Sequence, residues 1–365
     1  RELCGAGWQA SIRQSGDWSV SKETRLQWFV WMSVATVAAV YFLIFVGGTV
    51  RATGSGMGCP DWPTCFGQLI PPTSEAQLPA DWRVRYADRG YAEADFDPIK
   101  TWTEFVNRLV GVTIGLMSIA TVAFAWLAAR SGAVLPKVAW AATFALLMVI
   151  LNGWIGSMVV ASNLRPVMVS LHMLGAFFVQ MGFIYALVWS RPGHFTQAAT
   201  ALPTWFAKAV LAILLALVVQ IFLGIQIRES VDLISRTVDE LRRDEWMTAV
   251  PWIFYVHRSF SWVVLALVGW ILWQVYRSDA ARQNLGRITA VLVALVVIEM
   301  LLGAALNHLG FPLVAQPLHL LTAHLIYGVL WFLWCATSAA QRPAPLDTQT
   351  NGLSSRSPHL SSSPL

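Results

Sequence analysis

The chain has 365 residues, 56% of them hydrophobic and only 12% charged, with a formal net charge of +5. A soluble domain of this length carries about twice that charged fraction. So small a net charge reads as a topology signal and excludes a nucleic-acid footprint. The apolar residues fall in blocks close to the roughly 20 that cross a bilayer as a helix, where the backbone must satisfy its own hydrogen bonds. An all-α integral membrane protein follows, with the lipid bilayer as its first partner.

In chain order, residues 1–26 read as a polar, mixed-charge arm without the apolar segment of a cleavable signal peptide. Eight spans are predicted at about 27–49, 103–128, 138–160, 168–190, 205–227, 253–276, 288–307 and 317–338. A long outer loop rich in Gly and Pro covers 51–102, and the Ser- and Pro-rich tail 341–365 is expected to be disordered. Lys and Arg set the orientation. Arg130 and Lys137, Arg191 and Lys208, then Arg277, Arg282 and Arg287 mark the loops after spans two, four and six, while Asp232, Asp239, Glu240, Asp244 and Glu245 dilute the loop after span five. Both termini are therefore expected on the cytoplasmic side of a bacterial inner membrane. Cys59 and Cys65 then lie in the oxidising compartment, where a disulfide persists; the CxxC spacing of a catalytic dithiol is absent. Cys4 lies in the arm and Cys335 in the last span.

The two halves of the chain echo each other. Phe45-Val-Gly-Gly-Thr-Val-Arg51 resembles Phe222-Leu-Gly-Ile-Gln-Ile-Arg228, and Val106-Asn107-Arg108 resembles Val256-His257-Arg258. The interval from Gly156 to His172 equals that from Gly303 to His319. Repeats in the same order predict two four-helix bundles, 27–195 and 196–340, related by a pseudo-twofold axis along the membrane normal.

Histidine is costly to bury in a span without a partner. His172, His257 and His319 all fall within about two turns of the outer end of a span, at one depth. His257 and His319 come from alternate helices of one bundle, and two neutral imidazoles on opposite sides of an iron porphyrin are an axial pair. Haem ligation is the favoured reading, against hydrogen-bonded packing histidines or a zinc site, for which nearby ligands are too few. His324 lies about 140° round the helix from His319. Its counterpart is Phe177, and it is expected to pack. His194, His308 and His359 fall in loops or the tail.

The first half carries Asn107 where the second carries His257, so His172 is its single candidate iron ligand, leaving the open face that oxygen chemistry needs. Glu104, one turn before Asn107, is either a proton-delivery group or a helix N-terminal acid. Arg51, Arg108, Arg228 and Arg258 recur near the outer ends as candidate partners for haem propionates, with interfacial snorkelling as the alternative. Glu299, buried mid-span, and its counterpart Asn152 are left between a functional acid and a hydrogen-bonded strut; Gln220 reads as interhelical glue.

The runs Gly47-Gly-Thr-Val-Arg-Ala-Thr-Gly-Ser-Gly56, Cys59-Pro-Asp-Trp-Pro-Thr-Cys-Phe-Gly-Gln-Leu-Ile-Pro71 and Glu104-Phe-Val-Asn-Arg108, with Leu171-His172, Val256-His257-Arg258 and Leu318-His319, resemble the haem A synthase family over about residues 28–338. The resemblance implies oxidation of the C8 methyl of haem O to a formyl group by successive hydroxylations and loss of water. It also implies a bis-His haem b on His257 and His319, and a haem O substrate site at His172 and Glu104. The paired cysteines of some members map to Cys59 and Cys65. Implied partners are haem O and haem A, a haem O synthase, an electron donor and oxidase assembly factors. Many members carry His where this chain has Asn107. The competing readings are a bis-His membrane cytochrome b that only relays electrons, and a transporter with inward-facing polar residues.

Overall fold

The computed structural model describes residues 20–237 and 251–338, with side chains up to 234 in the first stretch. The predicted disordered tail, most of the N-terminal arm, Cys4, His359 and the acids at 239, 240, 244 and 245 lie outside the described residues.

Among the described residues, eight helices are long and apolar enough to cross a membrane. They are α1 (Lys22–Ala52), α2 (Pro98–Arg130), α3 (Pro136–Ala161), α4 (Pro166–Trp189), α5 (Phe206–Thr237), α6 (Ile253–Tyr276), α7 (Asp279–His308) and α8 (Ala315–Ser338). Local chemistry starts them. Ser21 Oγ accepts from Thr24 N, the Asp97 carboxylate accepts from Ile99 N and Lys100 N, and Pro98, Pro136 and Pro166 occupy first-turn positions. Gly132 and Gly310 follow α2 and α7 with positive φ, +71° and +67°.

Several helices outrun their predicted spans. α5 continues ten residues past the predicted end at 227, which puts Asp232 on a helix and not in a loop, and α7 begins at Asp279 instead of 288. Hydropathy marks only the stretch that hydrocarbon requires. Polar residues continue a helix into the interface without cost, because water and headgroups solvate them there.

Each half closes on itself. α1 packs on α2, α2 on α3, α3 on α4 and α4 back on α1; α5 to α8 repeat the same ring. The halves meet where α8 packs against α1 and α4. The larger apolar core lies in the second half and under α8 (Val268, Ile271, Leu285, Leu292, Leu330, Leu333, all sealed). That junction explains why α8 is the most buried of the eight, with 56% of its apolar window inside the protein against 6% for α3.

The loop between α1 and α2 is a small folded unit. Cys59 and Cys65 are joined by a disulfide, and both are fully buried. Phe66, also sealed, sits edge-on to Trp82, Tyr86, Tyr91 and Phe96 with centroids 5.4–5.9 Å away. Burial pushes the Tyr91 hydroxyl above its ordinary range, and it donates to the Met57 carbonyl. Gly58 lies flat on the start of α2, where any Cβ would strike the backbone of Lys100 and Thr101; Thr101 Oγ1 donates to its carbonyl at 2.9 Å.

Candidate functional site

One local device recurs four times in this fold. Near the helix ends that flank the 53–97 loop, Gly47 of α1 faces Asn107 of α2, and Gly156 of α3 faces His172 of α4. In the second half Gly224 of α5 faces His257 of α6, and Gly303 of α7 faces His319 of α8. A Cβ on the glycine would lie 3.7 Å from Asn107 Oδ1, and 3.0, 3.2 and 3.4 Å from Cε1 of the three histidines. At Gly156 and Gly224 the missing side chain is what lets the ring lie against the neighbouring backbone.

One turn before each of these glycines stands Leu43, Asn152, Gln220 or Glu299. His172 Nδ1 lies 3.1 Å from the Asn152 carbonyl, and His257 Nδ1 lies 3.1 Å from the Gln220 carbonyl. A carbonyl only accepts, so Nδ1 carries the proton in both rings and the neutral imidazole keeps its lone pair on Nε2. Gln220 Nε2 returns a bond to the His257 carbonyl at 2.8 Å, so the side chain expected as interhelical glue clamps a histidine. His319 Nδ1 has Glu299 Oε1 at 3.2 Å, within ion-pair range but without hydrogen-bond alignment. Nδ1 and Glu299 Oε2 are accordingly both buried without a hydrogen-bond partner among the described residues. Only the position facing Asn107 carries an apolar residue, Leu43. The polar strut disappears where the histidine does.

The His257 and His319 rings face each other with centroids 6.5 Å apart and planes at 70°. These rings are not sealed: the His319 side chain is 26% exposed. His324, expected to pack, does so. It is 2% exposed, stacks on Phe177 and lies 2.6 Å (Nδ1) from Gln180 Nε2.

Glu104 and Arg108 do work that the sequence did not indicate. Glu104 is 3% exposed; its Oε2 accepts from Cys59 N at 2.8 Å and its Oε1 pairs with Arg108. Arg108 Nε also donates to Oε1 at 3.1 Å, and its remaining donors reach the carbonyls of Asp61, Thr64 and Cys59. Arg108 therefore gives three bonds to loop carbonyls and two to Glu104 on its own helix. At the same repeat position Arg258 is exposed and lies over Phe254 and Tyr255. Phe254 replaces Glu104 in that register, so Arg258 has no acid one turn back.

Arg51 and Arg228, equivalents in the two halves, meet at Asp232. Arg51 pairs with its Oδ2 and Arg228 Nη2 lies 2.9 Å from Oδ1. Arg228 also donates to Gln316 Oε1 at 2.8 Å, and Arg51 Nη1 lies 3.4 Å from Met173 Sδ. Asp232 was legible only as a loop acid, because the repeat register stops at Arg228. The Gly and strut positions were present in the repeat, but sequence could not show that they face the histidines.

The profile of the cytochrome oxidase assembly protein family matches residues 30–331. Among curated relatives, the Heme A synthase of Shewanella oneidensis is 25% identical over 86% of this chain and 98% of its own length. That of Methylobacterium sp. (strain 4-46) is 27% identical over 83% and 89%, and that of Brucella ovis 26% identical over 84% and 90%. With the eight spans in place and most of its length matched, the chain belongs to the cytochrome oxidase assembly protein family, among the relatives named haem A synthase.

Proposed function

We propose that the protein is a haem A synthase, which takes haem O at His172 in the first bundle and holds a haem b between His257 and His319 in the second. The observation that carries the second site is the 6.5 Å between ring centroids. Two imidazoles bonded at about 2 Å to one metal atom place their centroids a little over 6 Å apart. The protonation pattern agrees. Nδ1 of His172 and His257 is committed to a carbonyl, which leaves Nε2 free to ligate, and such a partner for the non-ligating nitrogen is what metal-bound histidines require. The rings are accessible where His324 is walled in, so a macrocycle finds room at the former and none at the latter.

Haem b, when bound, supplies one-electron chemistry, and saturated bis-His iron suits that role. The chain's own residues account for the difference between the halves. Asn107 occupies the register of His257 but offers no imidazole, so the first bundle holds its substrate through His172 alone and leaves the other face open. The Asn107 Oδ1 and Asn152 Oδ1 atoms are buried without hydrogen-bond partners among the described residues, two acceptors that a hydroxylated substrate or water would satisfy. On that side the C8 methyl of haem O would be hydroxylated twice, each time taking one oxygen atom from dioxygen while the other leaves as water with two electrons and two protons from the donor, and the resulting gem-diol would lose water to give the formyl group. Glu104 acts here by fixing the outer loop over the bundle mouth, with Arg108 as its partner. Arg51, Arg228 and Arg258 remain the candidates for propionates, with Asp232 as the resident carboxylate that a propionate would displace. We further propose that the outer loop faces the periplasm, with both termini in the cytoplasm of a bacterial inner membrane. A haem O synthase, an electron donor and oxidase assembly factors are the partners this function requires.

Co-expression with a haem O source, followed by mass analysis of extracted haems, tests the function. Haem A or hydroxylated haem O is expected. Unchanged haem O beside well-folded protein defeats the synthase proposal and favours an electron relay, and a colourless preparation defeats both.

A further inference from the structure

Glu299 is the one acid among the four strut positions, and its surroundings differ from those of its counterpart. In the first half the Asn152 carboxamide lies against Gly175 of α4, where a Cβ would collide with it. The register equivalent of Gly175 is Thr322, which is 5% exposed and bonds back to the Leu318 carbonyl. Its side chain fills the space that Asn152 uses. The longer Glu299 side chain lies instead beside His319, with Oε1 3.2 Å from Nδ1. Both side chains are half-buried, and each retains one buried atom without a hydrogen-bond partner among the described residues, His319 Nδ1 and Glu299 Oε2. A modest rotation of the ring converts this approach into a hydrogen bond and satisfies a buried donor that would otherwise lack a partner.

We propose that Glu299 is a positioning residue for His319, fixing the rotation of its ring and enriching its electron density through Nδ1. The main-chain carbonyl one turn before the glycine faces the ring in both cases, but the strut side chain at His257 is Gln220, which forms a neutral reciprocal clamp and presents no carboxyl group. The two imidazoles of the second bundle are therefore inequivalent ligands, and their inequivalence is set by the protein. This inference rests on the haem b site proposed above. A carboxyl group behind a ligating histidine raises ligand basicity and favours the oxidised metal, so removing it moves the reduction equilibrium toward the reduced iron.

The test uses the full chain, purified with its haem, at one fixed pH. Its readouts are the low-temperature electron paramagnetic resonance spectrum of the oxidised haem and the midpoint potential. Glu299→Leu is expected to shift the g-values and to favour reduction by about tenfold, which for a one-electron couple is about 59 mV. Glu299→Gln keeps the length and an acceptor oxygen and should recover most of the wild-type signal. Glu299→Asp withdraws the carboxyl by one methylene and should resemble the Leu variant, which decides the matter if Glu299→Leu does not fold. Wild-type g-values and potential in Glu299→Leu and Glu299→Asp, with haem retained, overturn the proposal while leaving the haem site intact. A wild-type protein without a bis-imidazole low-spin signal overturns the haem site itself.

Discussion

The rings of Phe177 and His324 stack face to face, with centroids 4.2 Å apart and planes 8° apart. Each lies five residues after the histidine of its own half, His172 and His319, so the two are equivalents under the repeat. Their contact therefore joins equivalent positions of the sequence repeat where α4 meets α8. His324 is sealed by Phe177, Gln180 and neighbours of α8, which makes it a joint between the bundles. His324→Ala should cost about 2–4 kcal/mol by cavity formation, read as a lowered midpoint in detergent unfolding, with the low-spin haem spectrum unchanged. His324→Phe should recover most of that loss. Bleaching of the haem by His324→Phe would refute a purely packing role.

The glycines opposite the histidines grade a second expectation. Gly156→Ala places a Cβ 3.0 Å from His172 Cε1, so the ring must yield; at Gly303 the same Cβ lies at 3.4 Å, in ordinary contact. Conversion of haem O should fall about tenfold in Gly156→Ala, equivalent to about 1.4 kcal/mol, without change in the low-spin spectrum. Gly303→Ala should be tolerated in both. Equal effects at the two positions would mean that the ring contacts are not what sets the site.

For the ligands themselves, His257→Ala and His319→Ala should each abolish the low-spin haem spectrum. His172→Ala should spare it and stop product formation. Optical spectra and extracted-haem analysis on the same preparations separate these outcomes; loss of the low-spin signal in His172→Ala would reverse the assignment of the two bundles.

Glu104 and Arg108 form a buried pair, with side chains 5% and 12% exposed. Removing one partner strands the other's charge, so Glu104→Ala should cost about 3–5 kcal/mol and open the outer loop to proteolysis. Glu104→Ala with Arg108→Leu should cost less than the sum of the single changes. Strict additivity in this cycle would show that the two residues act apart.

The Cys59–Cys65 disulfide should resist reductant in the folded protein, because both sulfurs are wholly buried. Mass tagging of thiols after a phosphine reductant is expected to label neither cysteine until denaturant is added. Rapid labelling of both under native conditions would indicate an exposed, exchange-active pair instead. Cys59→Ser with Cys65→Ser should destabilise the loop by about 2 kcal/mol through lost loop closure.

Features that depend on solvent and on repetition could be read from the residues alone. Hydrocarbon admits only helices of a minimum apolar length, so eight spans could be read directly. The interval from Gly156 to His172, matched by that from Gly303 to His319, and the match of Val106-Asn107-Arg108 with Val256-His257-Arg258 exposed the repeat and singled out His172, His257 and His319. Tertiary structure alone decided the partners. Whether Arg108 meets a ligand or a loop depends on where Asp61 and Thr64 place their carbonyls, and that follows from a disulfide-closed loop folding back over α2. Asp232 joins Arg51 to Arg228 only because α5 stays helical beyond the bilayer and brings two halves of the chain together. Helical periodicity fixes which face a residue occupies; which neighbour that face meets is set by packing between segments far apart in sequence.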